Sequence, residues 1–525
     1  MKFLAVFSLS IFFAYTTYAQ SEPLHLKTLG TRSWVRLSWN AISDATEYQI
    51  YWSAKSTQPG KANAIVKSPG TSYYIQGVKP ETLYDVWLKP VGKSGSARTI
   101  HTKVFTSKKW EIDQQEALHL SIPSSAAVPE GMKLFWQDEF NDELLNRNKW
   151  STQYYSNLDF VEKYNWAEFK AGMLPEPGLI LTGSTLHLVT NDSVPVKPFM
   201  TSGRKISSIQ TYDWNSNENL LDNKRGGYFE VRVKRKSSGK AELVNTAYWF
   251  DSPGPEPAYY IEDGDHALGL TGKRPHGQVF EIDVFENLNS EIVLHGNVDS
   301  TGKFLHNIGQ YDVKGVDFVD HWVTHGLLWT AAGLKFYVNG ELKKEWSDPA
   351  AIKSPDHFMN LLLGTYGKNG AVDMEVDYAR GYQWPVEKGN ELANPSFEFK
   401  QLFPWTGTAQ LTTLTKRTGK NGVVIAPGQS LVQYLYLDPD KAYQLTYWSK
   451  GRGSITVNAD NLVPVSGQVE KGYQSIDKAG QDFTSHQMNF STAHTKPGHM
   501  KTIRIGFLNQ STADVIIDDI NLQQK

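Results

Sequence analysis

The 525-residue sequence predicts an all-β protein with a large central β-sandwich and a smaller β-sandwich on either side. Two observations predict this class. Short runs that alternate apolar and polar residues follow one another along the chain, separated by turn residues and with hardly any helical period. The chain is also too long for a single hydrophobic core. Strands that follow strands without helices favour antiparallel sandwiches or jelly rolls.

The amino-acid composition indicates which kinds of molecule the protein is expected to bind. The chain has 53 basic and 55 acidic side chains and a formal net charge of -2, which gives no reason to expect nucleic acid or a membrane surface as partner. It has no cysteine, so disulfides and thiolate metal sites are excluded. The 16 Trp and 25 Tyr provide flat faces on which sugar rings pack, although large β-proteins also use such residues in their cores.

The N-terminal stretch "MKFLAVFSLSIFFAYTTYAQ" predicts a secretory signal peptide over residues 1–19. A basic Lys2 precedes an apolar run from Phe3 to Ala14, and small residues precede Gln20. This run and every later apolar segment are shorter than the ~20 residues of a membrane span. We therefore expect a secreted, periplasmic or cell-surface protein without a membrane span.

Residues 22–107 predict the first small sandwich, with short alternating strands such as "WVRLSWN" and "LYDVWLKPV". Trp39 stands on the second strand, and "VKPETLYDVWL" has the Pro80-to-Tyr84 spacing of a tyrosine corner. This segment resembles a fibronectin type III domain, which implies a spacer role, with direct substrate contact as the alternative. A polar linker is predicted over residues 108–131.

Residues 132–387 form the largest block, and its stretch "GQVFEIDVFENLN" is unusual because it combines an apolar strand with Glu281, Asp283 and Glu286. In a regular strand Glu281 and Asp283 would share a face, while Glu286 would point to the other face. A β-bulge adds one residue and returns Glu286 to the first face. Carboxylates are costly in a covered sheet, so three of them at one place indicate a function.

The bulge also predicts how far apart the two outer carboxyl groups lie. Glu281 and Glu286 would be separated by about four strand steps, roughly 13 Å at ~3.3 Å each. Side chains that lean together by roughly 4 Å each would leave their carboxyl groups about 5 Å apart. Retaining glycosidases have ~5–5.5 Å between these groups and inverting ones ~6.5–9.5 Å, so the spacing favours retention.

The hexapeptide "EIDVFE" is similar to the E-x-D-x-x-E signature of glycoside hydrolase family 16 in its bulged form. The flanking segments agree in order along residues 132–387; they are "LFWQDEFNDELLNRNKW", "ISSIQTYDW" with "GGYFEVRVK", "HWVTHGLLWTAAGLKFYVNGE" and "MEVDYARGYQW". The resemblance implies a concanavalin-like β-jelly roll whose concave sheet forms an open cleft for internal bonds of a polysaccharide.

The resemblance also implies a role for each acid. Glu281 would be the nucleophile that forms the glycosyl-enzyme intermediate, and Glu286 would be the general acid and then the general base. Asp283 would hold a shared proton between them. Carboxylates this close do not all ionise easily, so their pKa values are driven apart. No cofactor is expected for catalysis; a structural calcium ion is common in such proteins, but the sequence identifies no ligand loop for it.

Further residues are candidates for substrate contact. Trp249 in "NTAYWF" lies where the family presents an aromatic platform, with core packing as the alternative. His295 in "IVLHGN" would meet a sugar hydroxyl near Glu286, or would serve as a structural hydrogen-bonding group. Three weaker candidates lie in segments expected to be loops at the cleft edge: Trp166, Tyr212 and Trp214.

The substrate prediction rests on departures from the glucanase branches of the family. The bulged motif disfavours the lichenase and xyloglucan branches, whose signature is one residue shorter. "NTAYWFD" and "RPHGQVFEID" depart from the laminarinase pattern, and "ISSIQTYDW" looks more like red-algal galactan hydrolases. We therefore expect a galactan (agar, porphyran or carrageenan), with β-1,3-glucan as the alternative. Basic residues near expected cleft loops would bind sulfate esters; they are Arg204, Lys205, Lys224, Arg225 and Arg274.

Residues 390–525 predict the last sandwich, with "NPSFEF" and "PWTG" near its start and "IDDINL" at its end. It resembles galactose-binding-like sandwiches that include carbohydrate-binding modules. Trp405, Tyr447 and Trp448 would contact sugar or fill the core, and sugar binding would increase avidity for the substrate. A transglycosylase and a non-catalytic glycan-binding protein stay open as alternative functions. We expect a monomer.

Overall fold

A computed structural model describes most of the chain. The described residues are 23–30, 34–68, 70–76, 78, 79, 81–93, 95, 96, 98–106, 122–142, 145–152, 178–194, 205–213, 218–242, 245–251, 281–286, 290–296, 308–316, 319–348, 354–463, 466–495 and 498–525. The chain divides into two compact units, residues 1–111 and residues 112–525. The predicted signal peptide (1–19) and most of the predicted linker lie outside the described residues.

The described residues of the first unit form eight strands in two sheets. One sheet has the order β1-β2-β5, and in the other β4, β3 and β6 are neighbours while β7 and β8 pair with β6. Val35, Tyr48 and Leu88 belong to the core of this unit. The Tyr84 hydroxyl accepts a hydrogen bond from the Lys79 backbone N–H at 3.0 Å, as expected of a tyrosine corner. The strands are β1 (Leu26–Gly30), β2 (Trp34–Trp39), β3 (Ala45–Ser53), β4 (Ala64–Lys67), β5 (Ser72–Gln76), β6 (Leu83–Gly92), β7 (Gly95–Ser96) and β8 (Ile100–Phe105).

In the central part of the second unit, the residues that the structure describes form sixteen strands. They are β9 (Lys133–Asp138), β10 (Leu179–Leu181), β11 (Leu186–Thr190), β12 (Lys205–Gln210), β13 (Tyr212–Asp213), β14 (Glu218–Asn219), β15 (Gly227–Glu242), β16 (Asn245–Asp251), β17 (Glu281–Glu286), β18 (Glu291–His295), β19 (Gly309–Asp312), β20 (Val323–Thr330), β21 (Gly333–Val338), β22 (Glu341–Trp346), β23 (Asn360–Gly367) and β24 (Asn369–Gln383).

Two large sheets face each other here. One has the order β10-β11-β24-β15-β20-β21-β22 with β9 beside β24, and the other has the order β12-β23-β16-β17-β18-β19. Alternate residues of each sheet meet in one core, for example Phe229 and Val231 from β15 and Tyr248 and Phe250 from β16. The Phe229 and Phe250 rings pack edge to face with centroids 5.3 Å apart. The six-stranded sheet therefore buries one face and leaves the opposite face to position polar side chains.

The outer face of the eight-stranded sheet contains a buried acid with its own donors. The hydroxyl groups of Tyr228 and Tyr378 donate to the Glu230 carboxylate at 2.6 and 2.7 Å. The neighbouring guanidinium of Arg380 forms a bidentate pair with Glu139, with both contacts at 2.7 Å. Buried charges of this kind are tolerated because each has hydrogen-bonding partners.

The C-terminal part of the second unit is a smaller two-sheet sandwich. Its sheets have the orders β25-β28-β33-β30-β31 and β26-β27-β34-β29-β32. The strands are β25 (Thr406–Gly407), β26 (Gln410–Thr412), β27 (Gly422–Ile425), β28 (Ser430–Leu437), β29 (Ala442–Gly451), β30 (Ser454–Leu462), β31 (Val469–Lys478), β32 (Thr484–Ser491), β33 (Lys501–Leu508) and β34 (Val515–Gln524).

Direct hydrogen bonds fix this sandwich to the central one. The Pro355 carbonyl accepts hydrogen bonds from the Trp329 indole N–H at 3.0 Å and from the Tyr436 hydroxyl at 2.7 Å. Tyr436 belongs to β28 of the C-terminal sandwich, whereas Trp329 belongs to β20 of the central one. Arg225 of the central part also pairs with Glu391. The described part of the second unit is therefore one continuous body.

The structure confirms the predicted all-β class and the large central sandwich. Across the described residues all regular secondary structure is β, and the central strands pair antiparallel. No helix in these residues has the length and hydrophobicity that crossing a membrane requires. The predicted domain boundaries stay predictions.

One buried histidine lies in the core directly beneath the six-stranded sheet. His325 of β20 is fully buried, and its ring packs on that of Phe285 with centroids 4.3 Å apart. Burial lowers the pKa of the His325 imidazole to about 3, because the charged form loses its water. His325 is therefore neutral in the folded protein at pH 5, whereas the unfolded chain binds a proton there.

We predict that His325 makes the folded protein sensitive to acid. The pKa is depressed on folding, so stability is lost as the pH falls below about 6.5, the ordinary histidine value. Between pH 7 and pH 5 this loss amounts to about 2 kcal/mol. Urea unfolding of His325→Leu should show a pH dependence weaker by that amount, while the exposed control His494→Gln keeps the wild-type dependence. Parallel curves for wild type and His325→Leu would contradict the prediction.

Candidate active site

The predicted bulge is present in β17. Trp249 of β16 pairs with Asp283, and the residue before it, Tyr248, pairs with Phe285. Val284 therefore has no pairing partner on β16 and is the extra residue of the bulge. The pairing with β18 shows the same extra residue: Asp283 pairs with Val293 and Glu286 with Glu291, so three steps along β17 match two steps along β18. Val284 and Phe285 both belong to the core although they are consecutive. The bulge is thereby confirmed, and it turns Glu286 away from the core.

The acids of the motif lie on the face of the sheet opposite the core. Glu281 and Glu286 are half-buried, whereas Asp283 between them is 3% exposed. The Asp283 carboxyl hydrogen-bonds the Nε2 atom of His295 at 3.0 Å, and the same Nε2 lies 3.9 Å from Glu281 Oε2. Two acids and a histidine therefore meet within a few ångströms.

Asp283 is placed so that it retains a proton. Burial raises the pKa of its carboxyl group well above the usual range, and the negative charges of Glu286 and Glu291 raise it further. A protonated Asp283 donates hydrogen bonds as well as accepting them. The centre of the motif can thus store a proton between two outer carboxylates.

Glu286 is held by two side chains from neighbouring strands. Its Oε1 atom accepts hydrogen bonds from the Asn245 amide at 2.7 Å and from the Tyr366 hydroxyl at 2.6 Å. Asn245 also contacts the Tyr366 hydroxyl. Asn245 is at the start of β16 and Tyr366 is near the end of β23, and these two residues pair directly. Together Asn245 and Tyr366 fix the orientation of the Glu286 carboxylate.

Several members of this site are not predicted from the sequence. Asn245 is four residues before Trp249 in "NTAYWF", so the two side chains point to the same face of a regular strand, and this spacing could have identified Asn245. Glu291 pairs directly with Glu286 across β17 and β18 and adds a fourth acid to the face. Gln310 of β19 donates to the Glu291 carboxylate. Neither Tyr366 nor Glu291 was distinguishable from ordinary strand residues without the sheet order.

Trp249 lies on the acid face rather than in the core. It pairs with Asp283, while its neighbours Tyr248 and Phe250 point into the core cluster. Its ring lies against Gly364 of β23, where an added Cβ atom would come within 3.2 Å of it. Trp249 is 4% exposed. The position next to the acids agrees with the one expected, and sugar contact stays a prediction.

Two of the other substrate candidates lie elsewhere than expected. His295 pairs with Glu281, at the opposite end of the motif from Glu286, so the expected position near Glu286 is wrong. The two strands are antiparallel, so Glu286 pairs with Glu291 at the start of β18, and His295 at its end lies opposite Glu281. Tyr212 is not in a loop but in β13, where it is 1% exposed and stacks on Phe358. Trp166 and Trp214 lie outside the described residues.

The basic residues proposed for sulfate esters are only partly described. Arg225 lies at the junction with the C-terminal sandwich, paired with Glu391 and 3.6 Å from Asp438, and sulfate binding by it stays a prediction. Lys205 donates to the Asn191 carbonyl at 2.9 Å and lies 3.5 Å from Asp192. Lys224 is half-buried. Arg204 and Arg274 are outside the described residues.

The aromatic candidates of the C-terminal sandwich divide between core and surface. Trp405 and Tyr447 belong to its core, and the Trp405 indole N–H donates to the Asn394 carbonyl at 3.0 Å. Trp448 is half-buried on the opposite face of β29, with the Arg417 guanidinium 3.9 Å from its ring centre. Only Trp448 of the three is positioned for contact outside the core.

Three groups among the described residues bring histidine and carboxylate atoms within 4.8 Å of one another. One of them is part of the site described above. The groups are Glu281, Asp283 and His295; His187, Asp373 and Glu375; and Asp356, His357 and His499.

We predict that Asp283 makes stability fall as the pH rises. The raised pKa means that the folded protein keeps a proton that the unfolded chain releases above about pH 4, so folding is opposed increasingly above that pH. Asn cannot lose a proton, so urea unfolding of Asp283→Asn should lack this fall. Asp312→Asn, a more exposed position on the same sheet, should keep the wild-type dependence. An unchanged curve for Asp283→Asn would contradict the prediction.

Comparison with known proteins gives one relative by sequence. No protein-family model matches the chain. Glucan endo-1,3-beta-glucosidase A1 of Niallia circulans is 24% identical over 310 residues, which are 52% of this chain and 41% of the relative. The chain therefore spans about two fifths of the length of this curated relative.

The solved structures that are similar to this chain at lower identity include the following two. The GlcNAcα1-4Gal-releasing endo-β-galactosidase of Clostridium perfringens is 18% identical, with 60% of this chain and 81% of that chain covered and a TM-score of 0.36. A non-specific endo-β-1,3(4)-glucanase from family GH16 is 18% identical, with 50% and 95% covered and a TM-score of 0.30. The sequence match to the glucanase and the bulged acid motif together support the resemblance to glycoside hydrolase family 16.

Proposed function

We propose that the protein is a retaining endo-β-glycosidase that cleaves internal β-linkages of a polysaccharide. The observation that carries this proposal is the bulge in β17, which places Glu281, Asp283 and Glu286 on one face of the sheet. The likeness to a glucan endo-1,3-β-glucosidase supports it. A lectin needs no such set of acids, which disfavours a non-catalytic binding protein.

In the first step a Glu281 oxygen attacks the anomeric carbon of the sugar. The bond from that carbon to the glycosidic oxygen breaks, and Glu286 gives its proton to the departing oxygen. A covalent glycosyl-enzyme intermediate remains on Glu281. The hydrogen bonds from Asn245 and Tyr366 to Glu286 Oε1 leave its other oxygen to face the leaving group.

In the second step Glu286, now a carboxylate, takes a proton from water. The water oxygen bonds to the anomeric carbon, and Glu281 is released as a carboxylate. Asp283 keeps its proton in both steps and thus adds no negative charge beside the nucleophile. Its hydrogen bond to His295 fixes its orientation. A sugar hydroxyl in place of water would give transglycosylation with the same residues.

The substrate class is a β-linked polysaccharide, and two polymers have separate support. The relative is a β-1,3-glucanase, which favours laminarin-type glucans. The departures of "NTAYWFD" and "RPHGQVFEID" from the laminarinase pattern favour a red-algal galactan. Incubation of the full chain with laminarin, agarose, porphyran and κ-carrageenan, followed by sizing of the products, separates these cases. Reducing ends from none of them would contradict the proposed hydrolysis of both polymer classes.

We predict that Glu281→Gln and Glu286→Gln each lower the rate of hydrolysis by roughly 10³-fold without unfolding the protein. Both changes keep the shape of the side chain but remove its negative charge and its acid–base function. The measurements are release of reducing ends on the best polymer and thermal unfolding. The exposed acid Glu341→Gln serves as the control and should keep wild-type activity. Near-normal turnover by either variant would overturn the assignment.

A second prediction concerns the group that orients the acid. Tyr366→Phe removes the hydroxyl that donates to Glu286 at 2.6 Å, so kcat should fall roughly 10-fold or more while KM changes little. The ring and its packing are kept, so the fold should be unaffected. Tyr311→Phe on the same sheet is the matched control. A change confined to KM would show that Tyr366 contacts substrate rather than positioning Glu286.

A further inference from the structure

The junction between the central and C-terminal sandwiches contains a compact group of buried titratable side chains. We call Asp356, His357 and His499 the junction cluster. Asp356 and His357 lie shortly before β23 of the central sandwich, and His499 lies shortly before β33 of the C-terminal one. All three are at least 93% buried. We propose that the junction cluster binds a divalent transition-metal ion of the zinc class.

The set of ligand atoms suits such an ion. Two imidazole nitrogens and one carboxylate oxygen are common zinc ligands, with bonds of ~2.0–2.2 Å. Tetrahedral geometry with such bonds places ligand atoms roughly 3.3 Å apart. Asp356 Oδ1 lies 3.4 Å from His357 Nδ1 and 2.7 Å from His499 Nδ1, and all three ligand atoms lie within 4.8 Å of one another. The 2.7 Å separation between Asp356 and His499 has to open by about 0.6 Å to admit the ion.

The backbone around the junction cluster holds the ligands in place. His357 and His499 are paired in an antiparallel β-bridge, and the Met500 N–H donates to the Asp356 carbonyl at 2.6 Å. The adjacent Pro355 carbonyl accepts the two hydrogen bonds from Trp329 and Tyr436 described above. Ligands from both sandwiches thus approach one point from fixed backbone positions. An ion there would cross-link the two sandwiches.

The other two histidine–carboxylate groups are less suited to a metal. In the group of His187, Asp373 and Glu375, the Glu375 carboxylate already pairs with Lys234 at 2.8 Å and with Lys236 at 2.6 Å. Two ammonium groups beside the carboxylate repel a divalent cation. The group of Glu281, Asp283 and His295 belongs to the candidate active site.

The competing explanation is a metal-free hydrogen-bond network. In that case both Nδ1 atoms carry protons and donate to Asp356 Oδ1, which accepts two hydrogen bonds. With a metal ion, one nitrogen lone pair of each histidine binds the ion, whereas in the network both Nδ1 atoms carry protons. A measurement of metal content distinguishes the two explanations. Inductively coupled plasma mass spectrometry of the full chain, made without a metal-affinity tag, stripped with chelator and re-equilibrated with ZnCl₂, measures that content.

The expected result is one zinc per chain, and thermal unfolding at a midpoint about 5 °C higher with zinc than after chelation. His499→Gln and Asp356→Asn should lose this zinc, whereas the matched variants His187→Gln and His295→Gln, one in each of the other two groups, should keep it. Less than a tenth of an equivalent in wild type would overturn the proposal. So would loss of the zinc in His295→Gln with retention in His499→Gln.

A second measurement needs no variant and therefore still tests the proposal if the variants fail to fold. Anomalous diffraction at the zinc absorption edge from wild-type crystals locates the ion directly. A peak between Asp356, His357 and His499 is expected. The absence of a peak there, in crystals soaked with zinc at the re-equilibration concentration, would show that the metal-free network is correct. This experiment does not depend on whether the protein hydrolyses a polysaccharide.

Discussion

The candidate active site depends on one backbone irregularity, the extra residue Val284 in β17. If the same sequence formed a regular strand, alternation would point Glu286 into the core, where an unpaired carboxylate is very costly. With it, Val284 and Phe285 both contribute to the core, and Glu286 joins Asp283 on the polar face. The apolar residues of the strand therefore stabilise the same irregularity that gathers the acids, so packing and chemistry select one register.

The gathered acids impose an electrostatic constraint that the neighbouring strands satisfy. Burial and the charges of Glu286 and Glu291 favour a neutral Asp283, which keeps one negative charge off the face. Among the described residues, Glu286 receives two neutral donors, Asn245 and Tyr366, and no salt bridge from a lysine or arginine. Neutral donors orient a carboxylate without removing its ability to take up and release a proton. The arrangement is thus suited to proton transfer rather than to a static ion pair.

Local sequence signals predicted the fold class and the bulge, because alternation and odd acid spacing are properties of a single strand. They could not predict Tyr366 or Glu291, whose importance comes from pairing with other strands far along the chain. The same limit explains Arg225, which resembles any surface arginine until the C-terminal sandwich brings Glu391 beside it. Trp405 illustrates a further ambiguity, because a core tryptophan and a sugar-binding one are identical in sequence.

The way in which the C-terminal sandwich is attached restricts what it contributes. Tyr436, Trp329 and Arg225 join it to the central sandwich through direct contacts, with no flexible tether between them. A flexible linker would let a bound glycan sample many positions, and its benefit would depend on linker length. A fixed sandwich instead presents any glycan held on its exposed faces, such as that of Trp448, at one distance and angle from the acids of β17. Its benefit to hydrolysis would then be limited to polymers whose chain can follow that path.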